Sequence, residues 1–349
     1  MANLDEKTWT DFELGSLADV NSGRDIYAQE RISGGIPYVT AGTANNGIGY
    51  FVGNDNDSLD SNVISVNRNG AVGEAFYHPY FALFGNDCRR VTLRETKEPS
   101  AQLFITQTIA AQKEAFSYSR KLGTARLKRL HFMLPVTDSG SPDYAYMTEY
   151  AKQKRDAMLS KYLAYAGKRI ADLGDIVDIP ALNEKEWAHF KMPQIFSMIQ
   201  RGKRLKNADH IPGTIPYVSS TANNNGVDDY IEATRGTRVF GDCISLANSG
   251  SVGTAFYEPF DFVASDHVTA LKTEGLSSFA YLFMTATIEK QGSNFNFNRE
   301  INDARIKNMQ VMLPVDNNGD PDYEYMEQYA KNLMIRKYRQ YKEYISSQK

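Results

Sequence analysis

The sequence predicts an α+β protein made of two tandem copies of one module, each followed by a long helix. Three observations carry that prediction. First, Pro142-Asp143-Tyr144-Ala145-Tyr146-Met147 recurs as Pro321-Asp322-Tyr323-Glu324-Tyr325-Met326, an offset of 179 residues in a chain of 349. Second, each half opens with short β-prone runs and then turns helical. Third, each copy of the motif leads into a charged segment with apolar residues at helical spacing, a stripe that must bury itself against something.

The repeat extends along most of the chain. Trp9-Thr10-Asp11-Phe12 is echoed by Trp187-Ala188-His189-Phe190, and Gly35-Ile36-Pro37-Tyr38-Val39 by Thr214-Ile215-Pro216-Tyr217-Val218. Asn69-Gly70-Ala71-Val72-Gly73 pairs with Ser249-Gly250-Ser251-Val252-Gly253, and Met133-Leu134-Pro135-Val136 with Met312-Leu313-Pro314-Val315. This is a duplication.

Within the halves, Val63-Ile64-Ser65-Val66 and Cys243-Ile244-Ser245-Leu246 read as strands ending at Asn/Ser-Gly turns. Phe76-Tyr77, Val91-Thr92-Leu93, Phe256-Tyr257 and Val268-Thr269-Ala270-Leu271 continue the pattern. Ala101 to Ala115 and Ser277 to Lys290 have spacing near 3.6 without proline, so each is expected to be a helix. The last segments are expected to be rods over Asp143–Tyr165 and Asp322–Ile345. Their stripes are Met147, Ala151, Met158, Tyr162 and Tyr165, and Met326, Ala330, Leu333, Lys337, Tyr341 and Tyr344. Each rod, at 1.5 Å per residue, is roughly 35 Å long. The two are expected to pack as an antiparallel, coiled-coil-like pair under pseudo-twofold symmetry, with Lys168 to Glu186 making the return connection.

Composition narrows the function. A hydrophobic content of 42% and a charged content of 23% are those of a globular protein. No apolar run is long enough for a membrane span, and the first residues lack a signal-peptide pattern, so a cytoplasmic location is expected. Cys88 and Cys243 occupy non-equivalent repeat positions and the five histidines show no ligand spacing, so no metal site is indicated. A formal charge of −3 means that any nucleic-acid contact must rest on local patches.

Enzymatic constellations are weak. Asp143, Glu149 and Lys152 have the wrong spacing for a metal-dependent nuclease, and Gln328 replaces the glutamate in the second copy. Ser141-Pro142-Asp143-Tyr144 resembles the loop that holds a target amino group in DNA methyltransferases but lacks its second proline. The Gly-x-x-Gly loops lie between strands, where a tight turn is the expected use. No catalytic residue is assigned.

Binding features are stronger. Asn45-Asn46-Gly47 and Asn223-Asn224-Asn225-Gly226 place amides at loop tips, which suits adenine recognition and equally suits ordinary turn chemistry. Arg201-Gly202-Lys203-Arg204-Leu205-Lys206 is a basic loop whose glycine suggests a flexible phosphate contact, and Arg24 marks its weaker twin. The stretch from Arg120 and Lys121 to Lys128 aligns with one running through Asn298 and Arg299 to Lys307, with Arg126 matching Arg305 and Lys128 matching Lys307, as a capped helix start or a DNA-facing loop. Arg68 completes the set of candidate DNA-binding residues.

This combination of doubled modules, Ile-Pro-Tyr-Val strands, Gly-x-x-Gly turns and helices after Leu-Pro-Val resembles the specificity subunit of type I, or type IIB-like, restriction–modification systems. The resemblance spans essentially the whole chain. It implies a target-recognition domain over 1–141, a first spacer helix over 142–170, a linker and second target-recognition domain over 171–320, and a second spacer helix over 321–349. It further implies a non-catalytic reader of double-stranded DNA, each module reading half of a bipartite asymmetric target while the helices set the gap. Its partners would be modification (methyltransferase) subunits, two of them, and a nuclease or translocase subunit, separate or fused. S-adenosylmethionine, Mg2+ and ATP would belong to those partners. Two rival readings are a helical protein-binding scaffold without DNA recognition and a stand-alone DNA-modifying enzyme.

Overall fold

At the centre of each half of the chain lies a strand with both faces covered, Val63–Asn67 in the first and Cys243–Ala247 in the second, every residue of which is buried. The computed structural model describes residues 3–117, 119–292, 295 and 299–347. It divides into two units, Met1–Tyr162 and Leu163–Lys349.

In the first unit the central strand belongs to a four-stranded antiparallel sheet, in the order Ala18–Ser22, Cys88–Leu93, Val63–Asn67, Ala75–His78. Ile64 and Val66 pack with Ala101, Ile105 and Ile109 of the helix Pro99–Ala110. Val63, pointing the other way, packs with Val39, Ala82, Phe84 and Cys88. That second cluster lies against a smaller sheet, in which Ser33–Val39 pairs antiparallel with Ile48–Val52 and parallel with Leu83–Phe84. A strand covered on both faces reads as a continuous apolar run rather than an alternating one. Each of the valine, isoleucine and phenylalanine side chains among these contributes about 1.5–3 kcal/mol through removal from water.

The second unit repeats the plan. Its four-stranded sheet runs Met198–Arg201, Val268–Lys272, Cys243–Ala247, Ala255–Glu258. Ile244 and Leu246 join Tyr281, Met284 and Ile288 of the helix Ser278–Gly292. Cys243 joins Val218, Phe240, Phe262 and Ala264. Its smaller sheet gains a fourth strand, Val239–Phe240. Both cysteines are free and buried, and burial pushes each thiol up to about 12.

A two-stranded ladder closes each module on itself. Trp9–Glu13 runs antiparallel to His131–Pro135, and Trp187–Lys191 to Gln310–Pro314. The Leu-Pro-Val strand thus returns the chain to the module's start, and the repeated Pro-Asp-Tyr segment begins a helix there.

That segment has a structural explanation residue by residue. Asp143 Oδ1 accepts the Tyr146 amide at 2.9 Å, capping the helix, while its Oδ2 meets Lys7 Nζ at 2.7 Å. Lys7 lies 4.9 Å from the centre of the Tyr146 ring, and Met147 is fully buried. Burial opposes ionisation of Asp143, but the bonds from Lys7 and the Tyr146 amide hold its carboxyl below the ordinary value. The twin is built alike: Asp322 accepts the Tyr325 amide at 2.9 Å and Lys185 Nζ at 2.7 Å, and Lys185 lies 5.0 Å from the Tyr325 ring centre. Matching aromatic sets root the helices, Trp9, Phe104 and Tyr150 in one unit and Trp187, Phe283 and Tyr329 in the other.

The long helices span Tyr144–Leu173 and Tyr323–Ser347. The first therefore runs past Tyr165, through fully buried Ala166, and stops before Gly174, whose φ of +78° suits a helix C-terminus. The return connection starts there and not at Lys168. The expected stripes are displaced as well. Met158, Leu333 and Tyr344 are exposed, whereas Asn332, Ile335 and Ile345 are buried.

Within the second unit the end of the first long helix lies antiparallel to the second. The Tyr165 and Tyr338 rings meet edge-on at 6.1 Å, and one turn further along, Arg169 Nη2 points at Met334 Sδ at 4.0 Å. Asn332 fastens the return connection with both ends of its amide. It accepts the Val177 N–H at 3.1 Å and donates to the Val177 carbonyl at 2.7 Å.

Candidate nucleic-acid interface

The basic loop of the second unit is held firmly by its backbone. Gly202 N–H donates to the Val268 carbonyl at 2.9 Å and Lys203 N–H to the Ala264 carbonyl at 3.1 Å. A Cβ on Gly202 would lie 2.1 Å from the Ser265 oxygen, and one on its twin Gly23 would lie 2.2 Å from the Gly85 oxygen. Glycine stands in these loops because backbone passes against backbone, which corrects the expectation of flexibility. Arg201 is occupied too, donating to Asn248 Oδ1 at 3.0 Å. Lys203, Arg204 and Lys206 are exposed. In the first unit Arg24 faces Asp57 at 3.6 Å, which dilutes its charge.

Asn45 and Asn46, like Asn224 and Asn225, sit in left-handed conformations with φ between 50° and 53° and lead into Gly47 and Gly226. Asparagine tolerates that region better than most residues, so turn chemistry accounts for the backbone. The side chains stand exposed at the tips, as does Asn223. In the second unit Asn224 and Asn225 line an open groove with Asp228, Asp229 and Asp261. An acidic wall repels phosphate, so this groove suits base-edge donors and not a backbone.

The residues before the Leu-Pro-Val strands gather differently in the two units. Arg126 Nη1 donates to the Lys121 carbonyl and Arg305 Nη1 to the Glu300 carbonyl, the latter at 2.6 Å. Each arginine thereby braces the turn that precedes the helices Thr124–Lys128 and Asp303–Asn308, and Asn302 caps the second. The repeat placement of Arg126 and Arg305 has this structural cause. Around Arg126, however, the first unit assembles Arg68, Arg89, Lys121 and Arg129 along an open cleft of about 550 Å³. Arg68 is paired with Asp87 at 3.0 Å. Arg89 and Arg129 escape a sequence reading because the former lies inside a strand and the latter at the end of a five-residue helix. Arg120 stands over the Phe116 ring at 5.7 Å and Arg299 over Phe295 at 5.5 Å. Asn298 lies outside the described residues.

Groups that suggest catalysis are otherwise engaged. Asp143 caps a helix, Glu149 accepts from Gln153 at 2.6 Å, and Lys152 reaches Glu98 at 3.4 Å, so the three do not converge. Ser65 and His78 are hydrogen-bonded at 2.8 Å, but both are fully buried, out of reach of any substrate.

The model of the type I restriction modification DNA specificity domain matches this chain twice, over residues 6–158 and 184–343. The chain belongs to that family. A type II restriction enzyme specificity subunit of Heyndrickxia coagulans, S.BcgI, is 29% identical over 330 residues, covering 93% of this chain and 94% of that protein. A Mycoplasma pneumoniae protein named as a type I specificity subunit is 21% identical, with 87% and 84% of the two chains covered. The crystal structure of a type I restriction–modification S subunit from M. genitalium shares the fold, with a TM-score of 0.50 at 16% identity, over 98% of this chain and 93% of that one.

Within a specificity-family scaffold, differences between the two units at equivalent positions matter most. Tyr50, Phe51 and Phe81 of the first unit become Asp229, Tyr230 and Asp261 in the second. Arg31 stacks on Tyr50, its guanidinium 3.6 Å from the ring centre, while His210 bonds Asp229 at 2.7 Å. At two of these three positions a ring of the first head is a carboxylate in the second, while Tyr230 stays an exposed ring.

Proposed function

We propose that this chain is the non-catalytic DNA-reading subunit of a restriction–modification complex. Each unit reads one half of a bipartite, asymmetric target on double-stranded DNA. The observation that carries this reading is one scaffold built twice with chemically different heads, in a chain of the specificity family. A repeated enzyme would keep its site chemistry in both copies; a bipartite reader must vary it.

The reading units span 1–141 and 171–320, and the helices of 142–170 and 321–349 act as spacer and dock. Exposed Met158, Leu333 and Tyr344 give those helices the apolar surface that partner subunits need. The partners are two methyltransferase subunits and a nuclease or translocase, separate or fused. S-adenosylmethionine, Mg2+ and ATP act on those partners, in the cytoplasm. No helix among the described residues is long and apolar enough to cross a membrane.

Phosphate contacts come from Arg24, Arg68, Arg120, Lys121, Arg126, Lys203, Arg204, Lys206, Arg299 and Arg305. Asn45, Asn46, Asn223, Asn224 and Asn225 face the bases. Arg201 acts through Asn248, and Asn298 belongs to the same segment as Arg299. Methylome sequencing of the host with and without this gene tests the reading: loss of one bipartite methylated sequence is expected. An unchanged methylome, together with duplex affinity that does not fall as salt rises, would refute it.

A further inference from the structure

The basic cleft of the first unit holds a charge that the protein itself does not neutralise. Arg89 is only 4% exposed, yet no carboxylate pairs with it among the described residues. Its Nη1 donates to the Asn86 carbonyl at 2.6 Å and the Cys88 carbonyl at 3.3 Å, and its Nε finds no partner. A buried guanidinium without a counter-charge is costly. The nearest acid, Asp87, is engaged by Arg68 at 3.0 Å and Asn69 at 3.4 Å. Burial and the neighbouring Arg68 both lower the affinity of Arg89 for its proton. Lys121, Arg126 and Arg129 complete a lining with five cations and no acid.

The second unit dismantles this arrangement position by position. Strand register places Thr269 where Arg89 stands, and Asn248 replaces Arg68. Asn248 there donates to Thr269 Oγ1 at 3.2 Å and accepts from the Arg201 guanidinium at 3.0 Å, so one arginine reaches this corner from a different strand. Glu300 stands in place of Lys121 and Asn308 in place of Arg129, so Arg305 alone keeps its charge. Each corner keeps a guanidinium whose Nε has no partner, Arg89 in one and Arg201 in the other, but only the first surrounds it with further cations.

We propose that the cleft of Arg68, Arg89, Lys121, Arg126 and Arg129 seats a phosphate diester of duplex DNA, and that the second unit lacks this seat. The proposal rests on the reading of the chain as a DNA-reading subunit. The first unit then holds a phosphate at this corner, while the second anchors itself through Lys203, Arg204 and Lys206.

The test uses the full chain and a mixed-sequence duplex, with affinity followed across a salt series. Lys121→Gln with Arg129→Gln removes two of the five cations and keeps the Lys121 carbonyl on which Arg126 is braced. The slope of log affinity against log salt should fall by about one. Glu300→Lys with Asn308→Arg, which installs the charges in the second unit, should steepen it. Inorganic phosphate is the second probe: it should protect the first unit, followed by Trp9 fluorescence, and not the second, followed by Trp187. A wild-type affinity independent of salt would overturn the functional reading itself. Salt-dependent affinity with an unchanged slope in Lys121→Gln/Arg129→Gln would overturn the cleft alone. Phosphate protection that this variant loses, with its duplex slope intact, would assign the cleft to free phosphate and overturn the DNA seat.

Discussion

One duplicated position should give the two units opposite responses to pH. His78 in the first unit and Glu258 in the second are both fully buried, and each is bonded to a serine of the central strand, Ser65 at 2.8 Å and Ser245 at 2.9 Å. Burial favours the neutral form of each. It lowers His78 from 6.5 to about 4, and it raises Glu258 from 4.5 to about 7 against the bond from Ser245. A depressed folded value means that unfolded His78 takes up protons first, so its contribution is full above 6.5 and is lost as pH falls toward 4. A raised folded value means that unfolded Glu258 ionises first, so its contribution is full below 4.5 and is lost as pH rises through about 7. Each gap, at 1.36 kcal/mol per decade, is worth about 3 kcal/mol. Between pH 5 and pH 8 the first unit should therefore gain about 2 kcal/mol and the second lose about 2–3 kcal/mol. The chain has two tryptophans, Trp9 and Trp187, one per unit. Guanidinium unfolding of the full chain in Trp9→Phe and Trp187→Phe backgrounds isolates each response. Glu258→Gln, which cannot ionise, should flatten the second curve. If both units shift in the same direction, or Glu258→Gln keeps the wild-type slope, the assignment of buried neutral groups is wrong.

Other perturbations test the scaffold. Asp143→Ala and Asp322→Ala each remove a helix cap and strand a half-buried lysine, so each should cost about 2–4 kcal/mol in its own unit and spare the other. Gly202→Ala must displace the Ser265 carbonyl and should abolish soluble expression or lower stability by several kcal/mol, whereas Gly35→Ala, with no atom within 4 Å of the added carbon, should be nearly silent in the same thermal assay. Asn332→Leu strips both Val177 bonds and should cost about 1–3 kcal/mol, with limited proteolysis of the 174–180 connection accelerated several-fold. Lys203→Ala, Arg204→Ala and Lys206→Ala combined should weaken duplex binding at every sequence and lower the salt slope by about two to three, read by fluorescence anisotropy.

The duplication, the α+β class, the central strands and the helix starts follow from local order along the chain. A repeat is visible without knowing any contact, and Pro-Asp-Tyr-x-Tyr-Met encodes a cap, a ring and a core anchor within one turn. The buried face of the long helices could not be read the same way. Tyrosine and methionine serve equally well exposed or buried, and only the partner surface chose Asn332 and Ile335 over Leu333 and Tyr344. Gly202 shows the same limit: flexible in sequence, it proved to be a close backbone approach, and the bond from Arg126 to the Lys121 carbonyl is equally invisible along the chain. The cleft that collects Arg68, Arg89 and Arg129 existed only after strand pairing, because residues of three separate segments share it. Local chemistry sets which element forms, since its bonds lie within a few residues. Burial, charge pairing and the sign of a pKa change depend on atoms far away in the chain, so only the folded protein decided them.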